Sequence, residues 1–326
     1  MNILIVGAGA VGLVYGHHFS NAGHQVTFLV KEKYQQALED QSNTGIILYH
    51  LNNDKKLNKP EYFNNFKTIN DWEQAQNFDL IILAISSNAL RQLPLDQIKQ
   101  QLLTAETNLL MLQPSATDFE HLNQVLPEEK IYQGMISLIS YQTDEVNSDI
   151  NPAGTAYYLP PMPMPISAST SFTNSNNNQK NRLTEIVSLF KDSKISAKAV
   201  NNAIDESRLP SAFLMTFLCA LEAANWEFKR LGQSPDLLKK LSAAQQSLLP
   251  KQVKNSLLAS LLKLPLRPSL YKFLLKIAPW FVPLPLEAYL KKHFLKVRPQ
   301  TVIYMQEYNK TYPSSAITEL NQLLHP

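Results

Sequence analysis

Short apolar runs alternate with amphipathic or polar stretches through residues 1–202 of the chain. The first run, Asn2–Val6, has the composition of a strand buried on both faces, and Ala10–Asn21 has the pattern of a helix. This alternation is typical of a doubly wound α/β sheet, in which helices cover both faces of parallel strands. Further strands are predicted at Gln25–Val30, Ile46–Leu51, Leu80–Ile85, Leu109–Leu112 and Tyr132–Tyr141.

The pattern changes at Asp205, and from there apolar residues recur at helical spacing. The longest segment, Leu209–Leu231, is apolar almost all round, as in a helix buried inside a helical domain or a dimer interface. We therefore expect an α/β domain over residues 1–202 and an all-helical domain over 203–326, with a homodimer as a possibility. Further helices are predicted at Pro235–Ser247, Lys251–Lys263, Ser269–Ile277, Leu286–Lys296, Pro299–Asn309 and Ser315–Leu324.

Polar and proline-rich stretches interrupt the α/β pattern. Asn52–Asn70 and Thr173–Asn181 are rich in asparagine and are predicted to be surface loops or helix flanks. Tyr158–Pro165 contains four prolines, each without the amide hydrogen that a strand ladder needs. This run is therefore predicted to lie near the edge of the first domain and not in a central strand.

Composition places the chain among folded globular proteins, with 44% of its 326 residues hydrophobic and 17% charged. The single cysteine, Cys219, excludes an internal disulfide, and the N-terminus lacks the basic region and cleavage site of a signal peptide. A cytoplasmic location is the resulting expectation. Lysines and prolines interrupt the most apolar region, Leu257–Leu290, so a membrane-spanning helix of about 20 apolar residues is not expected.

Charge is spread unevenly along the chain. The net charge is +3, yet residues 251–298 hold ten Lys or Arg and one acid, Glu287. One interpretation is a solvated basic face, because the lysines alternate with apolar residues at helical spacing. The other is an anionic partner, either a small acid or a lipid surface. Nucleic acid is not expected, because no RNA- or DNA-binding motif accompanies the charge.

Metal chemistry has little support in the sequence. The seven histidines and one cysteine are scattered without the spacing of a metal site. His17 and His18 are adjacent, but neighbouring residues point about 100° apart on a helix and cannot hold one ion side by side. No metal site is predicted.

Glycine is concentrated at the N-terminus, where five of the nine glycines lie within the first 23 residues. Gly7-Ala8-Gly9-Ala10-Val11-Gly12 fits the G-x-G-x-x-G fingerprint, with the strand before it and the helix after it that the fingerprint requires. In this motif Gly7 permits a tight turn, Gly9 lets a pyrophosphate approach the backbone, and Gly12 allows close helix packing. All six residues are predicted to bind the phosphates of a dinucleotide at the helix N-terminus.

The end of the second strand distinguishes the two nicotinamide cofactors. An acidic residue there binds the ribose 2′-hydroxyl of NAD, whereas a basic residue pairs with the 2′-phosphate of NADP. Lys31 is the first side chain past the strand and points to NADP(H). A shift of one residue in the turn would instead place Glu32 at the ribose.

Four features together resemble the ketopantoate reductase (2-dehydropantoate 2-reductase) family. They are the fingerprint, the Ala22-Gly23-His24 step into the second strand, the basic residue closing that strand, and the C-terminal segment Tyr312–Ile317. The resemblance covers the whole chain in architecture and is most specific over residues 1–31. It implies a Rossmann-type domain that binds NADP(H), an all-helical C-terminal domain and reduction of a small 2-oxo acid. It also implies a lysine as general acid, an asparagine after a first-domain strand, and a glutamate from the helical domain.

The sequence departs from the family at these catalytic positions. Ser86 stands after the strand where the family commonly has a lysine, and Gln113-Pro114-Ser115 replaces an Asn-Gly step. The lysine near the start of the long helix should lie at Pro210 or Ser211. Glu307 is a displaced candidate for the family's glutamate. The cofactor half of the family pattern is intact, and the chemical half is not.

Other polar residues are candidates for the missing chemistry. Reduction of a carbonyl needs a proton donor, and a 2-oxo acid needs cations or hydroxyls for its carboxylate. Lys296 can titrate and is the leading proton donor, with membership of an exposed basic face as the alternative. Glu222 lies inside an apolar helix and serves catalysis or pairs with Arg208 or another base. The predicted site residues are Lys296, Arg208 and Glu222 for catalysis, Ser86 and Gln113 for the cofactor, and His293 and Gln300, with Thr301 nearby, for the substrate.

Two functions from different classes fit these observations. The first is an NADPH-dependent oxidoreductase that reduces the carbonyl of 2-dehydropantoate or a related small 2-oxo acid. The second is a protein that binds NADP(H) without turnover and acts as a sensor or partner-binding module. A third, narrower interpretation has the basic segment 251–298 touching a membrane surface.

Overall fold

The computed structural model divides the chain into two compact units, Met1–Ser207 and Arg208–Pro326, called here the α/β unit and the helical unit. The boundary between the two units falls within a helix, after Ser207. The amide of Ala203, at the start of this helix, donates to Ser167 Oγ at 3.0 Å, which ties the first helical turn to the α/β unit. The structure describes residues 1–53, 56–104, 106–146, 150–169, 177–249 and 266–324.

The described strands belong to the α/β unit and form two sheets. Apolar β-branched and leucine-rich runs make the central strands, which are buried on both faces as the sequence pattern predicts. In chain order the strands are β1 (Asn2–Val6), β2 (Gln25–Leu29), β3 (Ile46–His50), β4 (Glu61–Phe63), β5 (Lys67–Ile69), β6 (Leu80–Leu83), β7 (Asn108–Met111), β8 (Ile131–Gly134), β9 (Ile139–Gln142), β10 (Thr155–Tyr158), β11 (Met164–Ala168) and β12 (Ala197–Ala199).

The larger sheet has the order β12-β11-β8-β7-β6-β1-β2-β5. From β5 to β8 all neighbours are parallel, with Ile3 of β1 paired to Val26 of β2 and to Leu80 of β6. Strand β2 lies on one side of β1 and β6 lies on the other, so the strand order reverses at β1, as it does in a doubly wound sheet. The predicted Rossmann-type architecture is confirmed, with β11 added antiparallel to β8.

The helices cover both faces of this sheet and make up the helical unit. Residues alternate along β1, so that Ile3 and Ile5 pack into one core and Leu4 and Val6 into the other. The described helices are α1 (Ala10–Asn21), α2 (Glu32–Thr44), α3 (Ser87–Leu90), α4 (Leu95–Thr104), α5 (Ala116–Asn123), α6 (Thr143–Val146), α7 (Asn177–Asp192), α8 (Ala203–Ala223), α9 (Phe228–Gly232), α10 (Pro235–Leu248), α11 (Pro268–Phe281), α12 (Leu286–Lys296), α13 (Arg298–Thr311) and α14 (Ser315–Gln322).

The smaller sheet has the order β4-β3-β10-β9 and packs against α1. Helix α1 therefore lies between two sheets, which explains why its middle is buried all round and not amphipathic. The prediction that Ile46–Leu51 joins the doubly wound sheet is wrong, because β3 pairs with β4 and β10 instead. Tyr132–Tyr141 is likewise divided, since β8 belongs to the larger sheet and β9 to the smaller.

Two further predictions about the polar stretches are corrected. Asn52–Asn70 contains β4 and β5 as well as loops, because the short runs 61–63 and 67–69 pair with longer apolar strands. The proline-rich run ends inside β11, which lies between β8 and β12. Pro165 is tolerated there because the antiparallel ladder to β8 begins only at Ile166, so no bond to that strand needs its amide.

The helical unit begins within α8, the longest described helix. This helix covers Ala203–Ala223 and not the predicted Leu209–Leu231. It ends where Asn225 and Trp226 take left-handed φ values of 56° and 64°, so residues 213–226 are not one helix. The predicted helix Lys251–Lys263 lies outside the described residues. Within the described part of the chain, no helix is both long and apolar enough to cross a membrane.

Candidate functional site

The glycine loop lies where the strand order of the larger sheet reverses, between β1 and β6. Gly7 takes a φ of +99°, which a residue with a side chain rarely adopts, and its amide donates to the carbonyl of Leu29 at 2.9 Å. A Cβ on Gly7 would lie 2.8 Å from Cγ2 of Ile85 and 3.0 Å from the carbonyl oxygen of Ala84. The loop after β1 thus packs directly on the loop after β6, at the crevice where doubly wound sheets bind ligands.

Gly9 and Gly12 occupy opposite environments within the same loop. A Cβ on Gly12 would lie 2.1 Å from the carbonyl oxygen of Gly7, so helix α1 can pack this closely only without a side chain. A Cβ on Gly9 would meet no atom within 4 Å. Gly9 is also the N-cap residue of α1, where the first-turn amides and the positive end of the helix dipole lie. The open space at Gly9 fits the approach of a dinucleotide pyrophosphate to the backbone.

Lys31 is the N-cap residue of α2 and is exposed. Val30 before it is buried, and its amide donates to the carbonyl of Ile69 in β5 at 2.9 Å, which fixes the end of β2. Glu32 follows as the first residue of α2 and is exposed as well. Lys33 places its ammonium 4.7 Å from the ring centroid of Tyr34.

Ser86 and Gln113 lie just after β6 and β7, as the sequence predicts. Ser86 is the N-cap of α3 and its hydroxyl accepts a 3.4 Å hydrogen bond from the amide of Ala89. The buried Gln113 side chain donates to the carbonyls of Leu83 and Ile85 and accepts from the amide of Leu112. Gln113 therefore joins the ends of the two strands and shapes the rim of the crevice.

A buried carboxylate beside these strand ends was missed by sequence reasoning. Asp118 of α5 is fully buried and accepts from Ser87 at 2.5 Å and from Arg91 at 2.9 Å. The ion pair and the hydroxyl satisfy the charge in its apolar surroundings. Ser115, which caps α5 and accepts from the Asp118 amide at 3.4 Å, gives the one local signal, a Ser-x-x-Asp step. The cluster holds α3 and α5 together.

In the helical unit, Glu222 forms an ion pair with Arg298, the other base that the sequence left open. Arg298 Nε donates to Glu222 Oε1 at 2.7 Å, and the same guanidinium donates to the carbonyl of Leu324 at 2.6 Å. Helix α8, the start of α13 and the end of the chain after α14 are thereby joined by one arginine. Glu222 also lies close enough to the thiol of Cys219 to contribute to its raised pKa of about 12, which is caused mainly by burial.

The predicted substrate and proton-donor residues are divided between two helices. His293 and Lys296 lie on α12, whereas Gln300 and Thr301 lie on α13, after a break at Val297. They therefore do not form one face of a continuous helix. Burial lowers the pKa of His293 to about 4, so its imidazole is neutral near pH 7 and offers hydrogen bonds without charge. Lys296 is exposed at the C-terminal end of α12.

Arg208 lies near a buried hydroxyl pair that the sequence did not reveal. The Tyr308 hydroxyl donates to Ser211 Oγ at 2.7 Å, and both residues are buried. Ser211 is one of the two positions where the family's lysine was expected. Burial raises the pKa of Tyr308, and the nearby charge of Arg208 partly opposes this rise. The three residues combine a guanidinium with two hydroxyls.

A separate cavity of about 400 Å³ lies between α1 and the smaller sheet. His17 Nε2 lies 2.9 Å from Glu61 Oε2, and the Tyr157 hydroxyl donates to the same carboxylate oxygen at 3.2 Å. His18 hydrogen-bonds the carbonyl of Ser193 at 2.9 Å, and burial lowers its pKa to about 4. Among the described residues, no group of three or more His, Cys, Asp or Glu side chains is arranged to hold a metal ion.

Comparison with known proteins links this geometry to one family. Residues 3–160 match the family model described as Ketopantoate reductase PanE/ApbA. No curated protein matches the sequence.

Solved structures share the fold along nearly the whole chain. The 2-dehydropantoate 2-reductase from Geobacter metallireducens GS-15 has a TM-score of 0.63 at 16% identity, with 99% of each chain covered. The PanE/ApbA family ketopantoate reductase from Ralstonia eutropha JMP134 has a TM-score of 0.65 at 17% identity, covering 99% of this chain and 97% of that chain. D-mandelate dehydrogenase, solved with NADH, has a TM-score of 0.65 at 16% identity, covering 100% of this chain and 98% of that chain. The family model covers the part of the chain that contains the glycine loop, so residues 3–160 are identified as a ketopantoate reductase domain.

Proposed function

We propose that the protein is an NADPH-dependent reductase of a small 2-oxo acid, of which 2-dehydropantoate is the first candidate. The observation that carries the proposal is the glycine loop, with Gly12 packed tightly and the Cβ direction of Gly9 open. The family match and the oxidoreductases that share the fold support the reaction class. Because those neighbours include a mandelate dehydrogenase, the proposed substrates extend beyond 2-dehydropantoate to other small 2-oxo acids.

NADPH is proposed over NADH because of the charge at the end of β2. Lys31 is exposed at the N-cap of α2, where a 2′-phosphate would find both its ammonium and the helix N-terminus. Glu32 belongs to the first turn of α2, where an acid interacts favourably with the helix dipole without any ligand. The positive side chain is therefore the better candidate for the cofactor's adenosine end.

The bound cofactor would supply a hydride to the carbonyl carbon, and the substrate oxygen would take a proton from the protein. Lys296 is proposed as the proton donor because its side chain is exposed and ends in an amine, a group that serves enzymes as a general acid. Arg208 is proposed to hold negative charge on the substrate, since guanidinium binds carboxylates well. His293 and Gln300 are proposed as neutral hydrogen-bonding partners. Glu222 is proposed to position Arg298 and with it the start of α13.

Steady-state oxidation of NADPH by the purified protein tests this function. The panel consists of 2-dehydropantoate, shorter aliphatic 2-oxo acids and an aromatic 2-oxo acid that yields a mandelate on reduction. We expect turnover with at least one of them, and a product with one hydroxyl in place of the carbonyl. Tight NADPH binding without turnover on any member of the panel would contradict the reductase and favour the non-catalytic binding protein.

A neighbouring lysine provides a control for the proposed preference for NADPH over NADH. Lys31→Ala and Lys33→Ala each remove one exposed lysine from the start of α2, two residues apart, but only the first lies at the proposed phosphate position. We expect the KM for NADPH to rise at least tenfold in the first variant and to stay near the wild-type value in the second. Equal effects of the two substitutions would refute the assignment of Lys31.

A further inference from the structure

One face of helix α11 in the helical unit is exposed to solvent and carries both large apolar side chains and lysines. Trp280 is 85% exposed and Phe273 is 55% exposed, and both lie on the stripe that also carries the exposed Lys276. These positions are seven and three residues apart, so they share one side of the helix. Lys272 and Leu274 flank the stripe and are exposed as well. The face thus combines large apolar side chains with lysines.

The opposite side of α11 is fixed to the helical unit. Leu275 is buried, and the Tyr271 hydroxyl hydrogen-bonds the side chain of Gln245 on α10. The helix packs on α9 and α10 through this side. The orientation of α11 is therefore determined by its own contacts, and the exposure of Phe273 and Trp280 follows from it.

The segment of the chain that contains this face is strongly basic. Residues 266–298 contain seven Lys or Arg and a single acid, Glu287. Glu287 is engaged in the fold, because its carboxylate accepts a 2.5 Å hydrogen bond from the amide of Phe228 at the start of α9. The segment α11 itself contains two lysines and no acid. A partner for the face must accept apolar groups and positive charge together.

An anionic lipid surface has both properties. Tryptophan and phenylalanine are favoured at the level of the headgroups, where their rings contact acyl chains. Lysines bury their methylene stems at the same depth and keep their ammonium groups at the phosphates. A second copy of the chain fits less well, because a two-fold contact through this face would bring Lys272 and Lys276 of both copies together. We propose that α11 binds the surface of a negatively charged membrane, with Phe273 and Trp280 inserted among the headgroups.

The tryptophans of the chain provide a direct measurement of this contact. Trp72 and Trp226 are 6% and 5% exposed, so Trp280 dominates any change caused by solvent or lipid. We expect vesicles of phosphatidylcholine with roughly 30% phosphatidylglycerol to shift the emission to shorter wavelength and to protect it from an aqueous quencher. Vesicles of phosphatidylcholine alone should leave the spectrum unchanged, and high salt should reverse the shift. Trp280→Phe should abolish the spectral response while binding in sedimentation is retained.

Charge-reversal variants distinguish binding through this face of α11 from a general attraction between a basic protein and an anionic membrane. Lys272→Glu with Lys276→Glu changes the face, whereas Lys291→Glu with Lys292→Glu makes the same charge change at exposed positions of α12. We expect the first pair to weaken co-sedimentation with anionic vesicles at least tenfold, and the second pair to weaken it by less than about threefold. All four side chains are exposed, and thermal unfolding of each variant confirms that the fold is intact.

Three results would overturn the proposal. One is no binding of the wild-type protein to anionic vesicles. Another is an equal loss of binding in the two charge-reversal variants. The third is a concentration-dependent dimer that Phe273→Ser converts to a monomer, because the face would then be covered by a second copy. Each result is independent of whether the protein reduces a 2-oxo acid.

Discussion

Replacing Gly12 and Gly9 separately by alanine is expected to affect folding in one case and ligand binding in the other. In Gly12→Ala the new Cβ would lie 2.1 Å from the carbonyl oxygen of Gly7, where real Cβ contacts essentially never fall below 3.0 Å. The loop and α1 must therefore separate by about 1 Å, and both partners are backbone held by β1 and by the helix. Such overpacking typically costs about 1–3 kcal/mol, and a backbone partner places this variant at the upper end.

Gly9→Ala has no such conflict. Gly9 has φ −75° and ψ 177°, which alanine adopts without strain, and its Cβ direction is open. The free energy of unfolding should change by less than about 1 kcal/mol, because the unfolded chain loses conformational freedom whereas alanine is a poorer N-cap residue than glycine. The methyl group would, however, occupy the space proposed for the pyrophosphate. We expect NADPH affinity to fall at least tenfold, which corresponds to about 1.4 kcal/mol.

Urea unfolding and titration with NADPH measure the two effects on the same preparations. The Gly12→Ala protein should show a lower unfolding midpoint with an unchanged slope, and the Gly9→Ala protein should unfold like the wild type. If Gly9→Ala keeps the wild-type affinity for both NADPH and NADH, the loop is not the phosphate site. If Gly12→Ala is as stable as the wild type, the packing argument for the third glycine is wrong.

Three further predictions concern single side chains. Lys31→Ala should weaken NADPH binding by about 1–3 kcal/mol and leave NADH binding nearly unaffected, which calorimetry with both cofactors measures. Equal affinities of the wild-type protein for NADPH and NADH would favour Glu32 as the ribose ligand. Lys296→Met should lower kcat by about 100-fold without changing cofactor affinity, with Lys292→Met as the control, and wild-type turnover would move the proton donor elsewhere. Burial lowers the pKa of His18 from 6.5 to about 4. Between these two pH values the imidazole is protonated in the unfolded chain but neutral in the folded protein. The folded protein therefore loses stability as the pH falls from 6.5 to about 4. Between pH 7 and pH 5 this group should lower the free energy of unfolding by about 2 kcal/mol. In His18→Asn the amide can still donate to the Ser193 carbonyl, and urea unfolding should show a smaller loss of stability over this pH range. An unchanged pH dependence would contradict the role of His18.

The part of the fold that could be predicted is the part built from local signals. Strand β1, the glycine loop and α1 are contiguous, and their apolar run, glycines and helical spacing each act within a few residues. The helical pattern after Asp205 is local for the same reason, and Leu286–Lys296 was predicted with the bounds that the structure has. Such segments need no knowledge of distant partners to be assigned.

The smaller sheet could not be predicted because its pairings are distant in sequence. Leu48 of β3 pairs with Thr155 of β10, which lies more than a hundred residues further along the chain. The division of Tyr132–Tyr141 has the same origin, since an apolar run gives no sign of which sheet each half joins. Gly134, at the end of β8, is one marker of the division, because a Cβ there would lie 2.6 Å from Cε of Met164 in β11.

The site beside the glycine loop shows the same limit at the level of side chains. Ser115 and Asp118 form a recognisable capping step, but the partners of the carboxylate, Ser87 and Arg91, lie 31 and 27 residues away. Gln113 was predicted at the carboxyl end of its strand and lies there, yet the bonds from its amide to β6 depend on sheet order. Position along an element follows from the sequence, whereas the partner follows from the tertiary structure.

In the helical unit, an ion pair between residues distant in sequence determines how the candidate catalytic residues are held. Glu222 was singled out because an acid inside an apolar helix must be compensated, and the compensation comes from Arg298, which is 76 residues away. Arg298 lies at the junction of α12 and α13, so it holds the segment between Lys296 and Gln300 against α8 and against the Leu324 carbonyl. A lysine at the end of one helix and an amide at the start of the next keep a constant spacing only if that junction is rigid. We therefore propose that the half-buried Glu222 acts on the candidate site by fixing the backbone at Lys296 and Gln300, and not by contacting a substrate.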